Sequence, residues 1–248
     1  MMVGPTIQQD LYSIVLRFRT HPIAFTADIC KMYRQVKVHQ QDTPLQHILW
    51  RSSPRQQIET YELTTATYST TCVPFLATRV LKQLATDEKQ HWPAAAEVLQ
   101  RDFYVDDLIT TASSIEEAEQ LQGDLISLLS KGGFILRKFS ANHHRLLEKI
   151  PPELRETQGP ISLDGNDGVR TLGLLWNPTT DQFSIAHMVP AGSSDAMVTK
   201  WEVASVIAST FDPLGLISPL VITCKVFLQQ LWLANLGWDD ELPENLQS

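Results

Sequence analysis

The stretch Phe103-Tyr104-Val105-Asp106-Asp107-Leu108-Ile109 places two adjacent carboxylates inside an apolar, β-branched and aromatic run. Such a run is typical of a buried strand, and strands normally exclude Asp. We therefore predict a tight β-hairpin over residues 103–110 that bends at Asp106-Asp107 and carries both acids at its tip. Clustered acids repel one another unless a cation neutralises them, so the pattern indicates a metal site. A surface turn, in which Asp is common, is the alternative.

A second isolated acid, Asp28, lies near the end of the strand-like run Phe25-Thr26-Ala27-Asp28-Ile29. The alternative for Asp28 is a helix N-cap, because the segment after it can turn helical. We predict a strand over residues 23–29 beside the acid hairpin. This arrangement would place Asp28 and Asp106 on neighbouring central strands, although they are far apart in sequence.

The remaining pattern alternates strands with amphipathic helices. Further predicted elements are a hairpin at 45–51 and 58–63, helices at 74–85 and 93–101, a helix opened by the capping box Ser114-Ile115-Glu116-Glu117 and ended by Gly132-Gly133, a strand at 134–139, a loop at 151–168, a hairpin at 171–176 and 183–186, and helices at 198–210 and 221–235. The order strand, helix, hairpin, helix, strand in the first part predicts an α+β fold. Its antiparallel sheet is of the split βαβ type, with helices on one face.

Composition narrows the class of protein. The chain has 248 residues, a net charge of −8 and 43% hydrophobic residues, which is typical of a globular protein with a core. No apolar run is long enough for a transmembrane helix, and the N-terminus has no secretory signal. Cys30, Cys72 and Cys224 match no zinc spacing, so we expect free thiols in a reducing compartment. The acidic balance is unusual for a nucleic-acid binder, although it does not report local patches.

The two acid motifs together resemble those of reverse transcriptases. Tyr104-Val105-Asp106-Asp107 is similar to their Tyr-x-Asp-Asp box, and Asp28, with Tyr33 five residues later, is similar to their first carboxylate motif. The chain resembles one branch in particular, the BEL/Pao class of long-terminal-repeat retrotransposons. Five collinear stretches carry this resemblance: Val3-Gly4-Pro5-Thr6-Ile7-Gln8-Gln9-Asp10-Leu11, Lys31-Met32-Tyr33-Arg34-Gln35-Val36, Pro74-Phe75-Leu76-Ala77-Thr78-Arg79, Gly133-Phe134-Ile135-Leu136-Arg137-Lys138 and Phe211-Asp212-Pro213-Leu214-Gly215-Leu216.

The resemblance implies a polymerase palm with partial fingers and the start of a thumb. The subdomains expected from the resemblance are partial fingers at 1–22 and 40–66, a palm with the acid hairpin at 23–39 and 67–150, a loop and primer-grip-like hairpin at 151–190, and a helical thumb segment at 191–248. We expect a segment of a retroelement polyprotein that lacks the first finger strands and ends before any ribonuclease H or integrase region.

The implied chemistry is templated DNA synthesis assisted by two Mg²⁺ ions, with Mn²⁺ as an alternative. Mg²⁺ prefers hard oxygen ligands, which carboxylates supply. By resemblance, Asp28 and Asp106 are ligands of both ions, and Asp107 has a weaker or transient metal contact.

Three residues are expected at the nucleotide. The resemblance makes Tyr33 a steric gate that excludes a ribose 2′ hydroxyl, while the alternative is an aromatic side chain of the core. Tyr68-Ser69 falls where the family has an aromatic residue followed by Gly, near the sugar and templating base. Ser69 in place of Gly argues against full activity, because Gly permits φ > 0 or close backbone approach.

Two further sites follow from the resemblance. Lys138 is a candidate general acid that protonates the leaving pyrophosphate, and the alternative is a solvated surface lysine. Leu172-Gly173, with Trp176, resembles the hairpin that contacts the primer, and the alternative is an ordinary β-hairpin.

The predicted function is thus an RNA-directed DNA polymerase segment. Its expected partners are an RNA or DNA template with primer, dNTPs and the rest of the polyprotein, with no membrane. Its expected location, by resemblance, is a cytoplasmic virus-like particle. A decayed or co-opted non-enzymatic palm and an unrelated metal-dependent nuclease are the two other hypotheses.

Overall fold

The structure is a computed structural model that describes residues 3–156, 169–171, 174–185, 198–210, 212, 214–243 and 246. The chain divides into two compact units, Met1–Gly165 and Asn166–Ser248. The predicted α+β class is confirmed, because each unit combines antiparallel strands with helices.

The first unit contains most of the predicted elements. Its helices are α1 (Leu11–Arg17), α2 (Met32–Gln35), α3 (Val73–Asp87), α4 (Pro93–Arg101), α5 (Ile115–Lys131) and α6 (Arg145–Glu148). Its strands are β1 (Ile23–Ile29), β2 (His47–Trp50), β3 (Glu59–Glu62), β4 (Phe103–Tyr104), β5 (Asp107–Ala112) and β6 (Leu136–Ala141). The strand predicted at 23–29 is β1, and the helices predicted at 74–85 and 93–101 are α3 and α4. The hairpin predicted at 45–51 and 58–63 is β2–β3, with shorter strands.

A four-stranded antiparallel sheet in the order β4-β5-β1-β6 lies at the centre of this unit. The strand predicted at 134–139 begins two residues later, because Gly133 and Phe134 still belong to the end of α5. Gly133 takes φ 76°, and the amide of Phe134 donates to the carbonyl of Leu129. These features, together with the bond from the Gly133 amide to Ser130, form a Schellman cap.

The other end of α5 is also close to its prediction. The Ser114 hydroxyl accepts a hydrogen bond from the Glu117 amide at 3.2 Å, as a capping box requires. The reciprocal bond is shifted by one residue, because the Glu117 carboxylate accepts from the amide of Ser113 at 3.0 Å.

The two faces of the sheet have different neighbours. On one face Phe25, Ala27 and Leu108 are buried in a core shared with α3, α4, α5 and α6. The opposite face meets α1, since the hydroxyl of Thr111 donates to the carbonyl of Arg17 at 3.3 Å. The prediction of helices on one face is therefore incomplete, because a helix of seven residues is too short to show a clear apolar period.

The second unit contains the strands β7 (Val169–Thr171), β8 (Leu174–Asn177) and β9 (Gln182–Ile185) and the helices α7 (Lys200–Ser209) and α8 (Ser218–Leu233). The predicted hairpin is β8–β9, and β7 adds a third strand. The two predicted helices are present as α7 and α8. Much of the loop predicted at 151–168 lies outside the described residues. None of the helices described here is both long enough and apolar enough to cross a membrane.

Candidate active site

The acid hairpin is present, but its bend lies one residue earlier than predicted. Tyr104 pairs with Asp107, so Val105 and Asp106 form the turn. The buried Asp102 favours this register, because its carboxylate accepts hydrogen bonds from the Thr110 hydroxyl and from Arg17 Nε, each at 2.9 Å. A buried charge without such partners is strongly unfavourable.

Asp28 and Asp107 are directly opposed across β1 and β5. Side chains at directly opposed positions share a face, with their Cβ atoms about 5 Å apart. Asp106 lies in the turn, and its carbonyl accepts a hydrogen bond from the Ile29 amide at 2.9 Å. The prediction that Asp106 is the strand neighbour of Asp28 is therefore corrected. Asp107 occupies that position, and Asp106 is attached to β1 through its backbone.

Two cationic side chains from β6 bind Asp28. Arg137 Nε lies 3.1 Å from Asp28 Oδ1, and Lys138 Nζ lies 3.1 Å from Oδ2. Consecutive strand residues normally point to opposite faces. Here the pairing of β1 with β6 is interrupted by a bulge, and Lys138 takes φ 53°, so both side chains reach the same carboxylate.

Burial and mutual repulsion raise the pKa of two of the acids. The pKa of Asp107 rises from 3.8 to about 6, because burial disfavours its charge and the carboxylates of Asp106 and Asp28 repel it. The pKa of Asp106 is also raised, chiefly by burial and further by Asp28, although Lys138 and Arg137 act in the opposite direction. The two cations therefore compensate the acids only in part.

The donor chemistry of the three acids fits a divalent metal. Carboxylate oxygens are the ligands that Mg²⁺ prefers, and a cation would relieve the repulsion between Asp106 and Asp107. In the part of the chain that the structure describes, no three His, Cys, Asp or Glu side chains are grouped as metal ligands. Both oxygens of Asp28 face Arg137 and Lys138 instead. Metal binding would thus require Asp28 to exchange these partners.

Two tyrosines lie beside the acids. The rings of Tyr33 and Tyr68 have centroids 5.1 Å apart at an angle of 55°. Burial raises the pKa of the Tyr33 hydroxyl, and the charge of Asp106 raises it further. Tyr33 packs partly against the core, whereas Tyr68 is 53% exposed. The pair therefore forms one half-open aromatic surface near Asp106.

Ser69 adopts the backbone conformation for which a glycine would be expected. Its φ is 70°, in the left-handed region that residues with a side chain rarely occupy. The left-handed backbone conformation is thus present at this position although the residue is serine. The two predicted primer-contact residues, Leu172 and Gly173, lie outside the described residues.

Two contacts to the site were not predicted from the sequence. One is Arg137, for which the adjacent basic pair Arg137-Lys138 was the available signal. The other is Gln8, whose Oε1 accepts a hydrogen bond from the Val105 amide at 3.2 Å. No sequence signal indicates Gln8, because the contact depends on the path of the N-terminal segment.

Comparison with known proteins gives information on the second unit. Residues 199–248 match the family model described as Pao retrotransposon-like RNaseH-like domain. No curated protein matches the chain. The match supports a BEL/Pao retrotransposon origin and indicates a segment of a retroelement polyprotein. Its description differs from the predicted thumb and from the expectation that no ribonuclease H region is included, so the domain limits stay predictions.

Proposed function

We propose that the first unit contains the palm of an RNA-directed DNA polymerase, which transfers nucleotides from dNTPs to a primer 3′ end. The arrangement of Asp28, Asp106 and Asp107 carries this proposal. These carboxylates come from β1 and the adjoining hairpin, and Arg137 and Lys138 compensate their charge only in part. The match at 199–248 supports a BEL/Pao retrotransposon origin for the chain.

The roles follow from the positions of the side chains. Once Asp28 exchanges Arg137 and Lys138 for metal, Asp28, Asp106 and Asp107 would hold two Mg²⁺ or Mn²⁺ ions, whose positive charge would stabilise the attacking and leaving oxygens. Tyr33 and Tyr68 contact the sugar and base of the dNTP, and the Tyr33 ring excludes a 2′ hydroxyl. Ser69 brings its backbone close to the same nucleotide.

The resemblance assigns two further roles, one to a residue of the first unit and one to residues of the second. Lys138 carries a proton at Nζ and donates it to the leaving pyrophosphate. Its contact with Asp28 places this ammonium group beside the acids before metal binds, and the exchange of partners at Asp28 then frees it for the pyrophosphate. Leu172 and Gly173 contact the primer of a template–primer duplex.

One observation favours a non-enzymatic alternative. Both oxygens of Asp28 are already bound by Arg137 and Lys138, which suits a palm fold that has lost its metals. The description of the family match at 199–248 favours another activity on nucleic acid, the cleavage of RNA.

Primer extension on an RNA template in Mg²⁺ separates these functions. We expect extension by the wild-type chain and a loss of about a hundredfold to a thousandfold in Asp106→Asn, because a charged ligand is removed. Asp124→Asn is the matched control, since Asp124 lies on α5 and bonds Gln120. RNA cleavage without extension would favour the nuclease. Absence of extension, or equal extension by wild type and Asp106→Asn, would contradict the proposal.

A further inference from the structure

The strand that leads into the acid turn is too short to fix the turn alone. β4 has two residues, pairs with β5 at two positions and lies at the edge of the sheet. Val105, the next residue, takes φ 57°, an unfavourable conformation for a β-branched side chain. Such strain persists only where the surrounding structure holds it.

The N-terminal segment, residues 3–18, supplies contacts at both ends of β4. After the strand, Gln8 Oε1 accepts a hydrogen bond from the Val105 amide at 3.2 Å. Before the strand, Arg17 Nε lies 2.9 Å from the Asp102 carboxylate, and another nitrogen of Arg17 donates to the carbonyl of Arg101. The N-terminal segment therefore braces β4 on either side.

The N-terminal segment is itself anchored on both sides of Gln8. A Cβ at Gly4 would lie 2.6 Å from Cγ of Phe75, so the start of the segment fits closely against α3. Further along, Asp10 Oδ1 accepts a hydrogen bond from the Ser13 amide at 2.8 Å and caps α1. Gln8 lies between these two fixed points.

The surroundings of Gln8 make its bond to Val105 hard to replace. Gln8 and Val105 help to line a cavity of about 10 Å³, whose other lining residues are Thr78, Leu81, Lys82, Leu99, Gln100 and Phe103. That volume has room for about one water molecule at most. Without Gln8, the acceptors left to the Val105 amide in this cavity are one water molecule and the side chains of Thr78 and Gln100, each of which would have to move to reach it.

We propose that Gln8 is a positioning residue of the acid site. By accepting the hydrogen bond from the Val105 amide, Gln8 holds the strained turn and sets the position of Asp106 and Asp107 relative to Asp28. The catalytic consequence rests on the proposed function, whereas the hold on the turn does not.

Amide hydrogen exchange measured by NMR on the whole chain tests the hold directly. Gln8→Leu removes the acceptor and should speed exchange of the Val105 amide about tenfold, the effect of one lost hydrogen bond. Gln8→Glu keeps an acceptor oxygen and should retain the protection. Gln9→Leu is the matched control, because Gln9 is the exposed neighbour. Unchanged exchange in Gln8→Leu, or the same increase in Gln9→Leu, overturns the proposal.

A double mutant tests the catalytic consequence. We expect Gln8→Leu to lower kcat about tenfold and to leave KM for the dNTP unchanged, because misplaced acids slow chemistry without weakening substrate binding. Val105→Asn tolerates φ > 0, so in that background the loss should shrink to about twofold. An equal loss in both backgrounds overturns the role of strain. If the wild type does not extend primers, the proposed function fails, and the exchange result alone decides whether Gln8 holds the turn.

Discussion

The central sheet of the first unit and helix α8 of the second unit differ in how they bury their side chains. In the first unit, Phe25 and Leu108 are fully buried at the centre of the sheet. In the second unit, Leu231 is buried on α8, while Trp232 and Leu233 on the same helix are 56% and 82% exposed. The proposed chemistry rests on the first unit, and the family match that supports the origin lies in the second. The first unit and the second unit therefore need separate tests.

The largest expected effect on the free energy of unfolding concerns Lys200, in the second unit. Lys200 is buried, donates to the carbonyl of Leu236 at 3.0 Å and lies 4.9 Å from the centre of the Trp232 ring. We predict that Lys200→Ala lowers the free energy of unfolding by about 2 kcal/mol, because it leaves the carbonyl unpaired and removes a cation–π contact.

Tryptophan fluorescence during denaturant unfolding measures this effect. Lys225→Ala is the matched control, because Lys225 is an exposed lysine on α8. Equal midpoints for the two variants would show that the contacts of Lys200 with Leu236 and Trp232 do not stabilise the second unit.

The next effect concerns the raised pKa of Asp107 in the first unit, which comes from burial and from repulsion by Asp106 and Asp28. The pKa of Asp107 is raised in the folded state from 3.8 to about 6, so its stabilising contribution is complete below pH 3.8 and is lost as the pH rises through about 6. Asp107→Asn cannot ionise. We predict that it is more stable than wild type by about 1–2 kcal/mol at pH 7.5, a value reduced for partial exposure, and equal to wild type near pH 4.

Denaturant midpoints at the two pH values check this prediction. Asp124→Asn should show no such pH dependence, because it lies on α5 away from the acid cluster. A difference between Asp107→Asn and wild type that is constant with pH would mean that burial and the neighbouring carboxylates do not raise the pKa of Asp107.

The smallest effect concerns Ser69, at a position where the family that the chain resembles has glycine. Because Ser69 has φ 70°, Ser69→Gly relieves strain in the backbone of the folded protein. Glycine also raises the conformational entropy of the unfolded chain, which offsets part of this stabilisation. We predict a net stabilisation of about 0.5 kcal/mol. Ser52→Gly, at an exposed position, should be destabilising by a similar amount. Thermal unfolding of both variants measures the contrast, and destabilisation by Ser69→Gly would contradict the strained conformation.

The acid hairpin shows which structural features the sequence pattern predicts and which it does not. The strands around Asp28 and Asp107 follow from runs of apolar, β-branched and aromatic residues, which are a local signal. The position of the bend does not, because it depends on the contacts of Asp102 with Arg17 and Thr110. Arg17 is remote in sequence, and a hydrophobic pattern contains no information on such a contact.

The surroundings of the acids were less predictable than the acids themselves. Lys138 was a candidate from the resemblance, but its contact with Asp28 arises from a bulge in β6 that sequence alone does not locate. Gln8 reaches Val105 through the path of the N-terminal segment. Both contacts depend on tertiary packing, which local periodicity does not specify.

Calorimetric titration with Mn²⁺ tests most directly whether Asp28, Asp106 and Asp107 act as one divalent-cation site. We predict that the wild-type chain binds Mn²⁺, that Asp28→Asn and Asp106→Asn each weaken binding by about tenfold or more, and that Asp124→Asn binds as wild type does. Absence of Mn²⁺ binding by the wild type, or equal affinity in all four proteins, would contradict the account.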